Sequence, residues 1–254
     1  MDIFKYLFVL GRPASGKSEF IDYMKKLSVA DRAAKFHIGN FEEVDDFPWI
    51  WDACTQDDRL EERGEKRLHS TKTEEGYNLI DPLFRSKNQG KFNDAIRGKF
   101  ADGAKFFDEG TLLIEFARGR ADGFKVSLEK MDVAILKEAA ILYIDVSFEE
   151  SFRKNGARYD ASKKESILFH KVPDKDMYEY FIENDWKRIT DGKPKGYLSI
   201  SGIDLPFVTM PNEPESIVPV VLEERYGTAL SMLWALFQSG SRNPISNLQV
   251  AKKE

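Results

Sequence analysis

Eight consecutive residues, Gly11-Arg12-Pro13-Ala14-Ser15-Gly16-Lys17-Ser18, constrain this chain more than any other stretch. They follow Phe4 to Leu10, a short apolar run rich in aromatics that reads as a buried strand. They lead into Ser15 to Leu27, where Phe20, Ile21, Met24 and Leu27 recur at helical spacing. A tight loop at a helix N-terminus turns several backbone N–H groups to one side, as a dense anionic group such as phosphate requires. Gly11 lets the chain leave the strand, and Gly16 lets the backbone approach without a Cβ, with Pro13, Ala14 and Ser15 between them. Lys17 neutralises the outer phosphates of a nucleoside triphosphate, and Ser18 offers a hydroxyl to magnesium. The stretch therefore predicts binding of ATP with Mg²⁺.

The remaining elements alternate in the same way. Lys35 to Ile38 reads as a second, short strand, and Thr111 to Phe116 as a third. Ala140 to Val146 reads as a fourth, and Leu205 to Met210 as a last one. Between them lie expected helices: part of Trp49 to Lys72, Asn78 to Phe84, Asn93 to Phe107, Lys125 to Ala140, Met177 to Ile189 and Glu213 to Gln238. Ser147 is the expected N-cap of a further helix, with Glu149 and Glu150 in its first turn. Lys154 to Asp176 is polar and basic, lacks periodicity, and reads as a mobile insert. Alternating strands and helices imply a parallel sheet with helices on both faces. With 254 residues and 42% hydrophobic content, the chain suits one domain over 1–240, followed by a tail over 241–254.

Bulk properties exclude several classes. Lys plus Arg is 38 and Asp plus Glu is 43, a net charge of −5, so no global attraction to nucleic acid is expected. The single cysteine, Cys54, permits neither an intramolecular disulfide nor a cysteine zinc site, and reads as a small semi-buried hydrophobe. The apolar N-terminal run is too short to span a bilayer and shows no signal-peptide pattern, so a cytoplasmic protein is expected. His37, His69 and His170 have no metal-site spacing and read as structural or surface residues. The partners expected are a small-molecule acceptor and a second copy of the chain in a homodimer.

In parallel sheets, ligands gather at the C-terminal ends of strands. Asp45 and Asp46 follow the second expected strand; either carboxylate could orient an acceptor hydroxyl, or the acidic loop could simply solvate the surface. Glu115 lies inside an apolar run, a costly place for a carboxylate unless it is paired or near a metal. It is a candidate magnesium ligand, direct or through water. Arg118 and Arg120 would face the same cleft and clamp phosphate, the alternative being a salt bridge among the three. Trp49, Trp51 and Trp186 could stack on an acceptor base, though aromatics more often fill cores.

The loop resembles the G-x-P-x-S-G-K-S/T loop of P-loop kinases acting on nucleosides, nucleotides and other small molecules. That resemblance implies a three-layer α/β fold with a five-stranded parallel sheet and a lid. It implies transfer of a phosphoryl group from ATP to a small-molecule acceptor. The insert over 154–176 is then expected as the lid, and about 49–107 as the acceptor-binding insert, although that segment is longer than a minimal acceptor domain and resembles no named one. Asp45-Asp46-Phe47 is similar to the Asp-Asp-Phe stretch of uridine-kinase-like enzymes. Arg153 and Arg158 resemble the arginines that flank the lid in nucleotide kinases, where they close on the γ-phosphate. Val208 to Glu213 corresponds to a turn that lies against adenine. The sequence departs from the family at Glu115-Phe116-Ala117-Arg118, which stands where an Asp-Arg-Ser or Glu-Arg-Ser pattern is usual, and it lacks the Asp-Gly-x-Pro-Arg pattern of adenylate kinases. It also lacks the Asn-Lys-x-Asp motif of GTPases and the apolar run ending in Asp-Glu of ATPase motors. The alternative to a kinase is a non-catalytic ATP-binding switch or regulatory module.

Overall fold

The computed structural model describes residues 2–74, 76–100, 105–158 and 171–240. The chain opens with β1 (Tyr6–Gly11), α1 (Lys17–Lys25), α2 (Val29–Phe36), β2 (Asn40–Asp45) and α3 (Phe47–Glu62). A hairpin of β3 (Ser70–Thr73) and β4 (Gly76–Leu79) follows, then α4 (Phe84–Lys87), α5 (Gly90–Lys99) and α6 (Phe106–Glu109). Next come β5 (Gly110–Phe116), α7 (Phe124–Glu129), α8 (Val133–Leu136), β6 (Ala139–Asp145) and α9 (Phe148–Ala157). The last part holds α10 (Asp174–Asp176), a π-helical turn (Met177–Phe181), α11 (Trp186–Ile189), β7 (Lys195–Ile200), β8 (Ile203–Pro211) and α12 (Pro219–Gly240).

The main sheet has the order β2-β5-β1-β6-β8-β7. Its first five strands are parallel, and β7 pairs antiparallel with β8. Successive side chains of a strand point to opposite faces, so a sheet covered on both sides needs unbroken apolar runs. β1 obeys this: Leu7 and Val9 pack with Phe20, Phe36 and Leu230 from α1, α2 and α12. Its Phe8 and Leu10 pack with Phe92, Phe124 and Leu136 from α5, α7 and α8. β6 divides likewise, Leu142 and Ile144 on the first face, Ile141 and Tyr143 on the second. The result is three layers. A third, smaller core of Ala53, Cys54, Leu79 and Phe84 joins α3, β4 and α4 inside the 49–107 segment.

The sheet thus has six strands where five were expected. The additional β7 is an edge strand with only Leu198 and Ile200 buried, so it carries no long apolar signal. Its turn does: Ser201 and Gly202 have φ of 50° and 77°, and Ile200 pairs with Ile203 across this two-residue loop. The second strand is also displaced. Lys35 and Phe36 end α2, His37 closes that helix in a left-handed conformation, and the strand is Asn40–Asp45. As the other edge strand it buries only Val44, which explains the misplacement. Asn78 to Phe84, expected as helix, is instead the end of a strand and the approach to α4. The single helices expected over Lys125 to Ala140 and Met177 to Ile189 are each broken into two short pieces. Ser147 caps α9 as expected, accepting a hydrogen bond from the Glu150 N–H. Of the expected lid, Lys154 to Ala157 belongs to α9 and Asp174 to Asp176 to α10. Residues 159–170, with His170 among them, and the tail 241–254 lie outside the described residues. No described helix is long and apolar enough to cross a membrane.

Candidate active site

From β1 the chain runs through α1 and α2 to β2 on one side of the sheet, whereas from β5 it passes to β6 on the other. A crevice opens at the C-terminal strand ends where the winding reverses. The loop of residues 12–16 leaves β1 at that point. Ala14 and Gly16 adopt left-handed φ of 53° and 109°, a turn that gathers successive N–H groups into an anion-binding hollow. A Cβ at Gly16 would stand 2.3 Å from the Asn212 amide nitrogen, and one at Gly11 would stand 2.6 Å from the Ile144 carbonyl oxygen. The outer side of the loop is fastened. Ser151 Oγ donates to the Pro13 carbonyl at 2.6 Å, and Asn212 Nδ2 donates to the Ser15 carbonyl at 2.9 Å. Arg225 in turn donates to Asn212 Oδ1 at 2.6 Å. Ser15 Oγ is buried and has no hydrogen-bond partner among the described residues.

Lys17 begins α1 and turns inward. Its Nζ donates to the Arg12 carbonyl at 2.9 Å and lies 3.8 Å from Glu115 Oε1. The β2–β5 register sets Asp45 directly beside Glu115, so two strand ends bring two carboxylates to one ammonium. Burial lowers the Lys17 pKa, with the Arg158 charge adding, while Glu115, Asp45 and Glu19 oppose it. Burial pushes Asp45 up to about 7, helped by the negative charges of Asp46 and Glu115. Glu115 is raised by burial against the pull of Lys17. Ser18 is exposed on the same cavity. Its hydroxyl and the Glu115 carboxylate are hard oxygen donors, which fit Mg²⁺. Among the described residues no three His, Cys, Asp or Glu side chains cluster to hold a metal unaided.

The other candidate residues separate. Asp46 reaches the cavity but is held by Arg118, with Nη1 at 2.6 Å from Oδ2. Arg118 is fully buried; it also donates to Ser127 Oγ at 2.8 Å, to the Ala117 carbonyl at 2.6 Å and to Gln89 Oε1, and it stacks on Phe116. Its donors are consumed inside the protein, which corrects the expectation that it faces the cleft as a phosphate clamp. The expected salt bridge among Glu115, Arg118 and Arg120 is absent too, because Arg120 pairs at the surface with Glu183. Arg153 is exposed and pairs with Glu150 within its own helix, so the site gathers without it. Arg158 lines the cavity and pairs with Glu19 at 2.8 Å.

The cavity has a volume of about 280 Å³ and extends from the phosphate loop to the 49–107 segment. Trp51, Tyr77, Arg85, Asp176 and Phe181 line its far part. Arg85, Tyr77, Asp176 and Phe181 escaped the sequence reading, since they come from separate short elements that meet only in three dimensions. Of the three tryptophans considered, Trp51 alone lines this cavity. Trp49 packs edge-on against Phe92, and Trp186 stacks on Tyr143 and donates to Thr209 Oγ1 at 2.8 Å. His37 stacks on Trp234 and contacts the Asp2 carbonyl, while His69 packs on Phe84. Cys54 is buried on the cavity wall, and burial pushes its thiol up to about 11.

No family model matches the sequence, and no curated protein matches it. Among solved structures, the chain is similar to a gluconokinase from Sinorhizobium meliloti 1021, at 12% identity and a TM-score of 0.48 over 94% of this chain and 99% of that one. It is similar also to a sugar kinase from Janibacter sp. HTCC2649, at 15% identity and a TM-score of 0.39 over 92% of this chain and 98% of that one. These correspondences are loose. On its own strand order, its strand–loop–helix at Gly11–Ser18 and its two covered sheet faces, the chain has a three-layer α/β P-loop fold, extended by one antiparallel edge strand.

Proposed function

We propose that this protein is an ATP-dependent phosphotransferase that moves the γ-phosphoryl group to a hydroxyl of a small molecule. The observation that carries the reading is the juxtaposition of Lys17, at the start of α1, with Asp45 and Glu115 at two neighbouring strand ends, in a cavity that extends to a separate wall for an acceptor. The loop N–H groups and Lys17 hold the triphosphate, and Ser18 and Glu115 support its magnesium ion, which neutralises phosphate charge when bound. Asp45 sits beside the phosphate position with its carboxyl free of Arg118, and orients the acceptor hydroxyl. The hydroxyl oxygen forms a bond to the γ-phosphorus as the bond from that phosphorus to the β–γ bridging oxygen breaks. ADP leaves, and the hydroxyl proton passes to Asp45. Arg158 meets the charge of the moving group once it exchanges Glu19 for phosphate. A pKa near 7 suits a group that must accept a proton at neutral pH.

The test is ADP release with a panel of hydroxylated small molecules, followed by single-turnover transfer with the best of them. Asp45→Asn should lower turnover by roughly a hundredfold or more while leaving ATP affinity near that of the parent. In the parent, kcat/KM for the acceptor should fall as pH drops below about 7, as Asp45 becomes protonated. Tight ATP binding with no acceptor phosphorylated would instead identify a regulatory nucleotide-binding module.

A further inference from the structure

Arg85 projects from the short helix α4 into the far part of the cavity, where its guanidinium lies over the Phe181 ring at 5.0 Å. It is half-buried, yet no described residue gives it a hydrogen bond or an ion pair within 4.0 Å. Every other buried or half-buried arginine among the described residues is engaged. Arg32 donates to the Met24, Leu27 and Gly39 carbonyls, and Arg67 to Asp58 and Glu61. Arg118 holds Asp46, Arg158 holds Glu19, Arg225 holds Asn212, and Arg12 donates to the Phe181 carbonyl. Exposed arginines can leave their donors to water; a half-enclosed guanidinium loses part of that solvation and requires an acceptor in return. Stacking on Phe181 occupies one face of the plane and leaves the edge, which carries the paired N–H donors.

The nearby acids do not fill this role. Asp122 is in the shell of Arg118, 3.8 Å from its Nε. Asp176 is buried and accepts from the Leu79 N–H at 3.3 Å. Burial pushes Asp176 up to about 6 against the pull of Arg85, and no ion pair within 4.0 Å joins the two. Tyr180 and Cys54 are the other titratable groups that sense Arg85, and both are neutral at physiological pH.

We infer that the edge of Arg85 is a subsite for an anionic group, carboxylate or phosphate monoester, on the acceptor whose hydroxyl lies at Asp45. The term acceptor rests on the phosphotransfer reading; the anion subsite itself can be tested by binding alone. Two matched pairs serve as probes: D-glucitol against D-gluconate for a carboxylate, and glycerol against glycerol 3-phosphate for a phosphate ester. Their affinities are measured by calorimetry on the full chain in the presence of magnesium and a non-hydrolysable ATP analogue. In at least one pair the anionic member should bind roughly 10- to 100-fold more tightly than its neutral partner. Arg85→Met should erase that preference while leaving neutral-probe and nucleotide affinities unchanged. Equal affinities within both pairs, or a preference that survives in Arg85→Met, would overturn the inference. If Arg85→Met does not fold, Arg85→Lys decides. A preference weakened by loss of the planar fork supports the subsite, and an undiminished one overturns it. ADP release with the same four probes, with ATP in place of the analogue, separates the two levels. Anion binding through Arg85 without phosphoryl transfer keeps the subsite and removes the transferase reading, whereas transfer to neutral probes alone does the reverse.

Discussion

Burial and two neighbouring negative charges hold the Asp45 proton to about pH 7, whereas Asp46, one residue on, spends its carboxylate on a fully buried guanidinium. An acid whose pKa is higher in the folded chain binds more protons there than in the unfolded chain. Its contribution to stability therefore falls as pH rises from about 4, the unfolded value, to about 7. Asp45→Asn removes that penalty. By urea denaturation the variant should exceed the parent by on the order of 2 kcal/mol at about pH 8, with no gain near pH 4. The same residue would then stabilise by its absence and catalyse by its presence, the usual conflict at a site built for chemistry. In the sequence the two aspartates are indistinguishable. What separates them is Arg118, 72 positions from Asp46, and no local pattern reports a contact of that span.

At the scale of elements, the Arg118 cluster joins the β2–α3 corner to the segment after β5, with Gln89 from the turn before α5 and Ser127 from α7. Deleting the guanidinium would leave Asp46 and Asp122 enclosed without their cation. Arg118→Met should therefore cost roughly 3–5 kcal/mol in chemical denaturation. The double variant with Asp46→Asn should recover part of that loss, which a role confined to phosphate contact would not produce. The sequence showed β1, β5 and β6 clearly because central parallel strands bury both faces and must be apolar throughout. It showed β2 and β7 poorly because an edge strand answers to one face and to water. Arg118 and Arg153 read from sequence as members of the site because arginines after strand ends do often face phosphate; packing sent one inside and left the other on its own helix. The strand–loop–helix at Gly11–Ser18 needed no such help, since its eight residues are contiguous and its turn is local.

For the whole molecule, the cleft lies at the junction of the two large cores. α1, which starts at Lys17, anchors in one through Phe20 and Met24, while Phe116, next to Glu115, packs in the other. A ligand fixed at the loop should accordingly stabilise the sheet and both its layers together. With ATP and magnesium at about 100 times the dissociation constant, linkage gives about 2.7 kcal/mol, or a rise in Tm of roughly 5–10 °C. Lys17→Ala should fold, and should lose this shift in a thermal melt together with ATP binding in calorimetry. A shift retained in full would place the triphosphate elsewhere.

The fastening of the phosphate loop has a consequence for how the protein comes into being. The Ser15 carbonyl is held by Asn212, a partner 197 residues further along, which is itself steadied by Arg225 on the last described helix. A ribosome releases the loop well before these two residues. Ser151 can hold the Pro13 carbonyl sooner, but until Asn212 and Arg225 have emerged the Ser15 side of the hollow lacks its brace, so the finished loop geometry waits on a residue 197 positions further along.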